Sequence, residues 1–198
     1  MKVIGSAKVE SGVRDISVSK DGTFFVVATR SGQVRVINRE NLSGTHLTLT
    51  DSDNSPVLME ECYAIALSAD DDLLAVAGTD RDIKLFSRSG DGYELLRQLT
   101  GHEGGITGVA FNHVGRQLAS SSFDKTIRLW DLQYPNERPL VLRGHEDWVL
   151  DVAYHGDGNR VASASADKST RVWEINAERM AERICELVRG ELSARAVS

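Results

Sequence analysis

The chain has 198 residues, of which 41% are hydrophobic, so it is long enough and apolar enough to bury a core. Its formal net charge of −6 argues against a nucleic-acid-binding protein, whose contact surface should be basic. Two cysteines, Cys62 and Cys185, are too few for a disulfide framework, and we interpret both as small hydrophobic residues in a reducing compartment. No stretch approaches the roughly 20 apolar residues of a membrane helix, and the N-terminus lacks the apolar run of a signal peptide. We therefore expect a cytoplasmic protein.

Four copies of one pattern follow one another along residues 1–175, at about 9–44, 58–92, 101–135 and 144–175. Each copy has an alternating apolar strand, a turn with Asp or Gly, a second strand, a tight turn and a third strand. The first copy contains VRDISVSKDGTFFVVATRSGQVRVIN from Val13, and the second contains CYAIALSADDDLLAVAGTDRDIKLFS from Cys62. No helical pattern of about 10–15 residues separates the strands, which excludes a parallel α/β sheet.

The third and fourth copies align without gaps. GHEGGITGVAFNHVGRQLASSSFDKTIRLWDL begins at Gly101, and GHEDWVLDVAYHGDGNRVASASADKSTRVWEI begins at Gly144. Trp130 and Trp173 are 43 residues apart, as are the two histidines of the GH pairs. This spacing lies in the range of about 40–45 residues that is typical of a four-stranded propeller blade.

With its GH and W-D/E dipeptides, the chain resembles the WD40 repeat family over nearly its whole length, to about Asn176. The resemblance implies an all-β fold, a β-propeller built of four-stranded blades. This chain supplies about four blades, so a partial propeller ring is one of the possible assemblies. It also implies that four side chains hold each blade together through hydrogen bonds. These structural residues are His102, Ser120, Asp124 and Trp130 in the third copy and His145, Ser163, Asp167 and Trp173 in the fourth.

The same residue types could form a Ser-His-Asp hydrolase triad. The set recurs 43 residues later, however, and catalytic sites are not usually duplicated at a structural period. The first two copies carry apolar residues in place of the histidine and serine, so we expect apolar packing alone to hold their blades. These residues are Val9 and Val27 in the first copy and Leu58 and Val76 in the second.

The resemblance further implies that partners bind the face around the central channel, through positions just after the GH loop and just before the turn aspartate. Trp148 is the leading candidate, because tryptophan offers a large apolar surface with a polar N–H and dominates binding hot spots. Packing of Trp148 against a neighbouring loop is the equally weighted alternative. The other candidates are Leu150, Thr107, Phe123, Glu61, Tyr63, Thr79, Arg14 and Arg30.

Other motifs point to no metal and no cofactor. The segment from Asp51 begins like a calcium loop but lacks the glycine and the closing glutamate at the required spacing. The histidines include no HExxH pair, and no glycine-rich loop suited to a phosphate is present.

The sequence does not decide how the propeller ring is completed. In the family each repeat contributes its last strand to the preceding blade, and here these strands are expected at 45–50, 93–99 and 139–143. The fourth blade then lacks an outer strand unless Val3–Val9 supplies it. We favour a longer propeller, or a ring completed by a second chain or a second copy, over a closed ring of four blades.

The pattern changes after Trp173. Asn176 is a suitable N-cap for a short helix over 176–190, followed by a tail over 191–198. This segment resembles those that follow WD40 arrays in bacterial multidomain proteins such as STAND-type signalling NTPases.

The sequence therefore predicts a non-enzymatic scaffold or sensor that binds protein partners rather than nucleic acid or membrane. A propeller that binds a small ligand or metal would need polar residues converging on the channel. A hydrolytic propeller would need a catalytic set outside the repeated network. Neither pattern is found in the sequence.

Overall fold

The computed structural model describes residues 6–42, 44–46, 49–50, 60–90, 92–113, 117–134 and 136–176. Their strands form four sheets. The first sheet contains β1 (Val13–Val18), β2 (Phe24–Thr29), β3 (Val34–Asn38) and β4 (Gly44–His46). The second contains β5 (Leu49–Thr50), β6 (Cys62–Leu67), β7 (Leu73–Gly78), β8 (Ile83–Ser89) and β9 (Gly92–Leu99). The third contains β10 (Ile106–Phe111), β11 (Gln117–Ser122), β12 (Ile127–Asp131) and β13 (Leu140–Leu142). The fourth contains β14 (Val149–Tyr154), β15 (Arg160–Ser165) and β16 (Thr170–Glu174).

Apart from β5, which runs parallel to its neighbour β9, each sheet is an antiparallel meander, and this confirms the all-β prediction of propeller blades. We number the sheets blades 1 to 4 in chain order. The first strands of the four repeats, β1, β6, β10 and β14, lie next to one another from blade to blade. These inner strands therefore line the centre of the array, and the last strand of each blade lies outside.

The core lies between the blades and not within one sheet. Val26 and Val34 of blade 1 pack against the face of blade 2 that is turned towards them, where Phe86 is fully buried. Between the next pair, Leu85 of blade 2 packs with Trp130 of blade 3. Each fully buried aliphatic side chain of this kind contributes about 1.5–3 kcal/mol. Every blade thus depends on its neighbours for most of its apolar burial.

A β-bulge interrupts the pairing of each inner strand at the same point of the repeat. The register shifts between Val13 and Asp15 in blade 1 and between Val149 and Asp151 in blade 4, with equivalent shifts in blades 2 and 3. The extra residue at each bulge is not paired with the neighbouring strand, so its side chain can point in a different direction from that of a regular strand residue. These four residues are Arg14, Tyr63, Thr107 and Leu150.

Blade 2 is not held by apolar packing alone, which corrects the expectation for the divergent copies. Lys84 forms an ion pair with Asp80, the turn aspartate, and both side chains are largely buried. The hydroxyl of Tyr93 donates to the carbonyl of Asp71 at 2.6 Å. The fully buried thiol of Cys62 acts as a small apolar group, because burial raises its pKa to about 12.

The outer strands differ in part from expectation. Two of the three expected strands, 93–99 and 139–143, correspond closely to β9 and β13. The segment expected at 45–50 divides instead, because β4 pairs with β3 of blade 1, whereas β5 runs parallel to β9 of blade 2.

Some expectations concern residues outside the described ranges. Residues 3–5 of Val3–Val9, residues 177–190 of the predicted helix and all of 191–198 lie there, as do Leu58 and the Asp51 loop. Residues 6–9, the described part of Val3–Val9, form no strand. Where the chain is described, no helix is long and apolar enough to cross a membrane.

Candidate functional site

The four polar side chains of blade 3 form a closed hydrogen-bonded chain. The Nδ1 atom of His102 lies 2.7 Å from Oδ2 of Asp124, and its Nε2 atom lies 2.8 Å from Oγ of Ser120. The indole N–H of Trp130 donates to the same Ser120 oxygen at 2.9 Å. All groups are satisfied if Nδ1–H donates to the carboxylate and the Ser120 hydroxyl donates to Nε2.

Blade 4 repeats this geometry. His145 lies 2.7 Å from the carboxylate of Asp167 and 2.8 Å from Oγ of Ser163, to which Trp173 donates at 2.9 Å. The network therefore joins the loop before the blade to its second and third strands. Since buried polar groups are costly when unpaired, it favours one register of those strands.

The serine-histidine-aspartate geometry does not make Ser120 a nucleophile. Its side chain is fully buried, and its oxygen already accepts from Trp130. A substrate carbonyl has no route to that oxygen, whereas the serine of a catalytic triad must be exposed to the substrate. The arrangement supports strand register and not acyl transfer.

The network predicts a loss of stability in acid. Burial by itself would raise the pKa of Asp124, but hydrogen bonds from His102 and Thr126 hold it well below its ordinary value of 3.8. A carboxyl group with a lowered pKa stabilises the fold above the unfolded value and loses that effect as pH falls through the folded one. We expect urea unfolding to show a free energy that declines below about pH 4, with a shallower decline for Asp124→Asn. Equal declines in the two proteins would contradict this role.

A row of three aromatic rings crosses blades 2 to 4 on the side of the GH loops. Phe123 stands in its centre, with its ring centroid 6.0 Å from that of Tyr63 and 4.8 Å from that of Trp148. The rings meet at 71° and 55°, within the edge-on and tilted geometries that aromatic pairs favour. Gly105 leaves room for this packing, because a Cβ atom there would lie 3.3 Å from the Phe123 ring, a tight contact. Trp148 is 52% exposed at the end of the row.

Charged groups extend the row across blade 1. The guanidinium carbon of Arg14 lies 5.3 Å from the centroid of the Tyr63 ring, a cation–π distance. Glu61 accepts from the Tyr63 hydroxyl at 2.9 Å and from Nε of Arg30 at 3.0 Å. These two hydrogen bonds lower the pKa of Glu61, and the first raises the pKa of Tyr63. We call the six residues the loop-face row: Arg14, Arg30, Glu61, Tyr63, Phe123 and Trp148.

The remaining candidates lie apart from these contacts. Leu150 is 47% exposed on β14, two residues beyond Trp148. The Thr107 hydroxyl donates to the carbonyl of Val149 at 2.6 Å, so it joins blades 3 and 4. The hydroxyl of Thr79 is buried and has no hydrogen-bond partner among the described residues.

Sequence reasoning missed a polar contact between the inner strands. Oδ2 of Asp15 accepts from the backbone N–H of Ile65 in the next blade at 2.8 Å, and Oγ of Ser17 accepts from that of Leu67 at 3.0 Å. The signal was an aspartate inside an apolar strand, which occurs at the same repeat position in VRDISV and VLDVAY. Asp151 is the second of these residues.

Within the described part of the chain, no three His, Cys, Asp or Glu side chains are grouped so that they could hold a metal ion. An open, polar cleft of about 370 Å³ lies at the turns of blades 3 and 4, lined in part by His113 and Asn159. It adjoins neither the loop-face row nor the buried network.

Comparison with known proteins decides the family. The family model described as WD domain, G-beta repeat matches residues 2–38, 93–131 and 136–174, together more than half of the chain. The chain belongs to the WD40 repeat family. The matched stretches leave out the second repeat, which also lacks the serine and tryptophan of a WD40 network.

Several known proteins are similar to the chain over part of their length. Nuclear distribution protein nudF of Emericella nidulans is 32% identical over 155 residues, which cover 67% of this chain and 32% of that protein. Periodic tryptophan protein 2 homolog of Schizosaccharomyces pombe is 38% identical over 71 residues, covering 36% of this chain and 8% of that protein. Protein transport protein SEC13 of Coccidioides immitis is 42% identical over 59 residues, covering 29% and 19%. This WD40 chain thus spans about a third or less of these relatives.

Proposed function

We propose that this chain is a non-enzymatic scaffold or sensor module that binds protein partners on the loop-face row. The observation that carries the proposal is the continuous contact from Arg14 through Tyr63 and Phe123 to the half-exposed Trp148. Aromatic and arginine side chains are the residue types enriched at the centre of protein interfaces. The rings contact one another in a fixed arrangement, so a partner has little side-chain motion to arrest there.

Replacing Trp148 tests the proposal. Peptides that bind the purified chain would be selected from a random library, and their affinities for variants measured by titration. We expect Trp148→Ala to weaken most of these peptides by about tenfold or more, because truncating a hot-spot ring removes about 2 kcal/mol or more. Phe123→Ala should weaken the same peptides.

Tyr134→Ala is the matched control. Tyr134 is also an exposed aromatic residue, but it follows β12, whereas Phe123 precedes that strand, so the two lie at opposite ends of the blade. The control should leave both affinity and melting temperature unchanged. Peptides that lose affinity with Tyr134→Ala and not with Trp148→Ala would overturn the proposal.

Alternative functions receive less support. A small-ligand propeller would use the polar cleft near His113, which lies away from the channel where such a site was expected. A hydrolytic propeller would need an exposed nucleophile, and Ser120 and Ser163 are both buried. Nucleic acid is disfavoured by the net charge of −6.

The biological setting is a further proposal. We infer that further blades complete the propeller, either in a longer propeller or from a second chain or copy, since among the described residues blade 4 has three strands and blade 3 has four. A reducing, cytoplasmic location is supported by the buried free thiol of Cys62. A bacterial, STAND-type context is supported by the resemblance of the tail alone, and the relatives named above are fungal.

A further inference from the structure

The blade 1 end of the loop-face row is positively charged, although the chain as a whole has a net charge of −6. The guanidinium of Arg14 lies over the ring of Tyr63, and Nε of Arg30 donates to Glu61. Two arginines thus stand beside one glutamate, which leaves a single excess positive charge there. Only Nε of Arg30 is used in the bond to Glu61, and the arginine side chain is 67% exposed, so its terminal nitrogens can bind a second anion.

The blade 4 end of the row is apolar and negatively charged. Trp148 and Leu150 are both about half exposed. Asp147 accepts from the N–H of Trp148 at 2.8 Å, and Asp151, which follows Leu150, is exposed. An acidic residue of a ligand is therefore repelled from this end and attracted to the blade 1 end. The charges give a bound segment a direction along the row.

The two ends are close enough for one short segment to reach both. The guanidinium carbon of Arg14 and the three ring centroids of the row follow one another at 5.3, 6.0 and 4.8 Å. Arg14 and the Trp148 ring therefore lie at most about 16 Å apart, a distance that about five residues of extended chain can span. Burial raises the pKa of Asp15, and the charge on Asp151 raises it further, so the inner strands of blades 1 and 4 lie within electrostatic reach of each other.

We propose that the loop-face row binds a short segment of a partner protein that carries an acidic residue and a large apolar residue. The Asp or Glu side chain of the partner pairs with Arg14, and the apolar side chain packs on Trp148 and Leu150. The two partner residues are separated by about two to five positions. This inference rests on the proposed protein-binding function, and it adds the chemistry and the direction of the bound segment.

The charge balance at blade 1 favours a carboxylate over a phosphate as the anionic group. Hydrogen bonds from Tyr63 and Arg30 lower the pKa of Glu61, so this glutamate keeps its negative charge at neutral pH. A carboxylate of the partner matches the single excess positive charge beside it. A phosphate group carries about 1.5 to 2 negative charges at neutral pH and would be repelled more strongly by Glu61.

Charge reversal at Arg14 tests the inference. Peptides from a random library would be selected separately on the wild type and on Arg14→Glu, and then sequenced. Among wild-type peptides we expect acidic residues to be enriched about two to five positions from a tryptophan, phenylalanine or leucine. Among Arg14→Glu peptides we expect lysine or arginine in place of the acidic residue, with the apolar residue kept, because the complementary charge has changed sign.

Titration of single peptides measures the size of the effect. Arg14→Gln should weaken wild-type peptides by about threefold or more, and replacing the acidic residue of the peptide by glutamine should do the same. The two changes together should cost little more than either alone, because both remove one interaction. The affinity of the wild type should fall as salt is raised, and that of Arg14→Gln should fall less.

Arg39→Gln is the matched control. Arg39 is also an exposed arginine of blade 1, but it follows β3, whereas Arg30 precedes that strand, so Arg39 lies at the opposite end of the blade. It should leave affinity unchanged. Arg14 is exposed and stands at a bulge, so Arg14→Gln and Arg14→Glu should keep the wild-type melting temperature.

Selected peptides that show no acidic enrichment, or that bind Arg14→Gln as tightly as the wild type, would overturn the inference. If Trp148→Ala still weakens those peptides, the loop-face proposal itself stands. A loss with Arg14→Gln and none with Trp148→Ala would also overturn the inference, because the segment would not reach both ends. Tighter binding with phosphoserine in place of the acidic residue would overturn the choice of a carboxylate.

Discussion

Gly78→Ala is expected to lower the free energy of unfolding by about 3 kcal/mol or more, a large effect for a single methyl group. A Cβ atom on Gly78 would overlap the carbonyl oxygen of Glu61 and lie 3.2 Å from Cα of Cys62. These are backbone atoms, which cannot rotate away as a flexible side chain can. The strand pair β6–β7 would have to separate at its bulge, and Glu61 would move with it.

The comparison for this prediction is Gly156→Ala, because a Cβ atom there meets nothing within 4 Å. It should change stability by no more than about 0.5 kcal/mol. Urea unfolding followed by tryptophan fluorescence measures both variants. Equal stabilities for the two alanine variants would show that the loop before β6 yields easily, contrary to the close packing of Gly78 against Glu61 and Cys62.

Ser120→Ala is expected to destabilise the fold by about 2–3 kcal/mol, because it leaves the N–H of Trp130 and Nε2 of His102 unpaired in a buried site. Ser163→Ala removes the same contacts in blade 4. Its loss should be smaller, because Trp173 is less buried than Trp130 and water can reach the freed N–H.

A triple variant sharpens this second prediction. Blade 2 has Val76 and Phe86 where blade 3 has Ser120 and Trp130, and both are fully buried. The triple change His102→Leu, Ser120→Val and Trp130→Phe gives blade 3 apolar residues like those of blade 2. It removes the donors and acceptors of these three side chains together, and Asp124 still accepts from Glu103 and Thr126, so the loss should be less than the sum of the three single changes. Thermal and urea unfolding of the four variants test this. An additive loss would mean that the polar groups do not act as one network.

Much of the fold follows from local sequence, because each repeat carries its own strand and turn pattern. The GH and W-D/E dipeptides also place the network, since they mark the same point in each repeat. The paths of β4 and β5 could not be predicted, because residues 45–50 can pair with blade 1 or blade 2 and nothing local chooses between them. The strands β4, β5 and β13 have one partner strand each, so their register depends on the assembled array.

The sequence predicted which positions belong to the candidate site, but it did not predict which of these side chains contact one another. The repeat alignment indicated Tyr63, Phe123 and Trp148 separately, and the assembled blades bring their rings together. It also indicated Thr79 and Thr107. The hydroxyl of Thr107 donates to the carbonyl of Val149, and the hydroxyl of Thr79 is buried. Such differences depend on the neighbouring blade, which a single repeat does not encode.

At the four bulges, the choice of side chain for binding is separate from the pairing of the strands, although these two requirements usually conflict in evolution. Arg14, Tyr63, Thr107 and Leu150 differ widely in chemistry, yet each stands outside the hydrogen-bonded ladder of its blade. Mutations at these points can change what the surface recognises with little effect on how the sheets pair. A randomised library at the four positions would therefore retain folded members at high frequency, and natural drift can explore new partners by the same route.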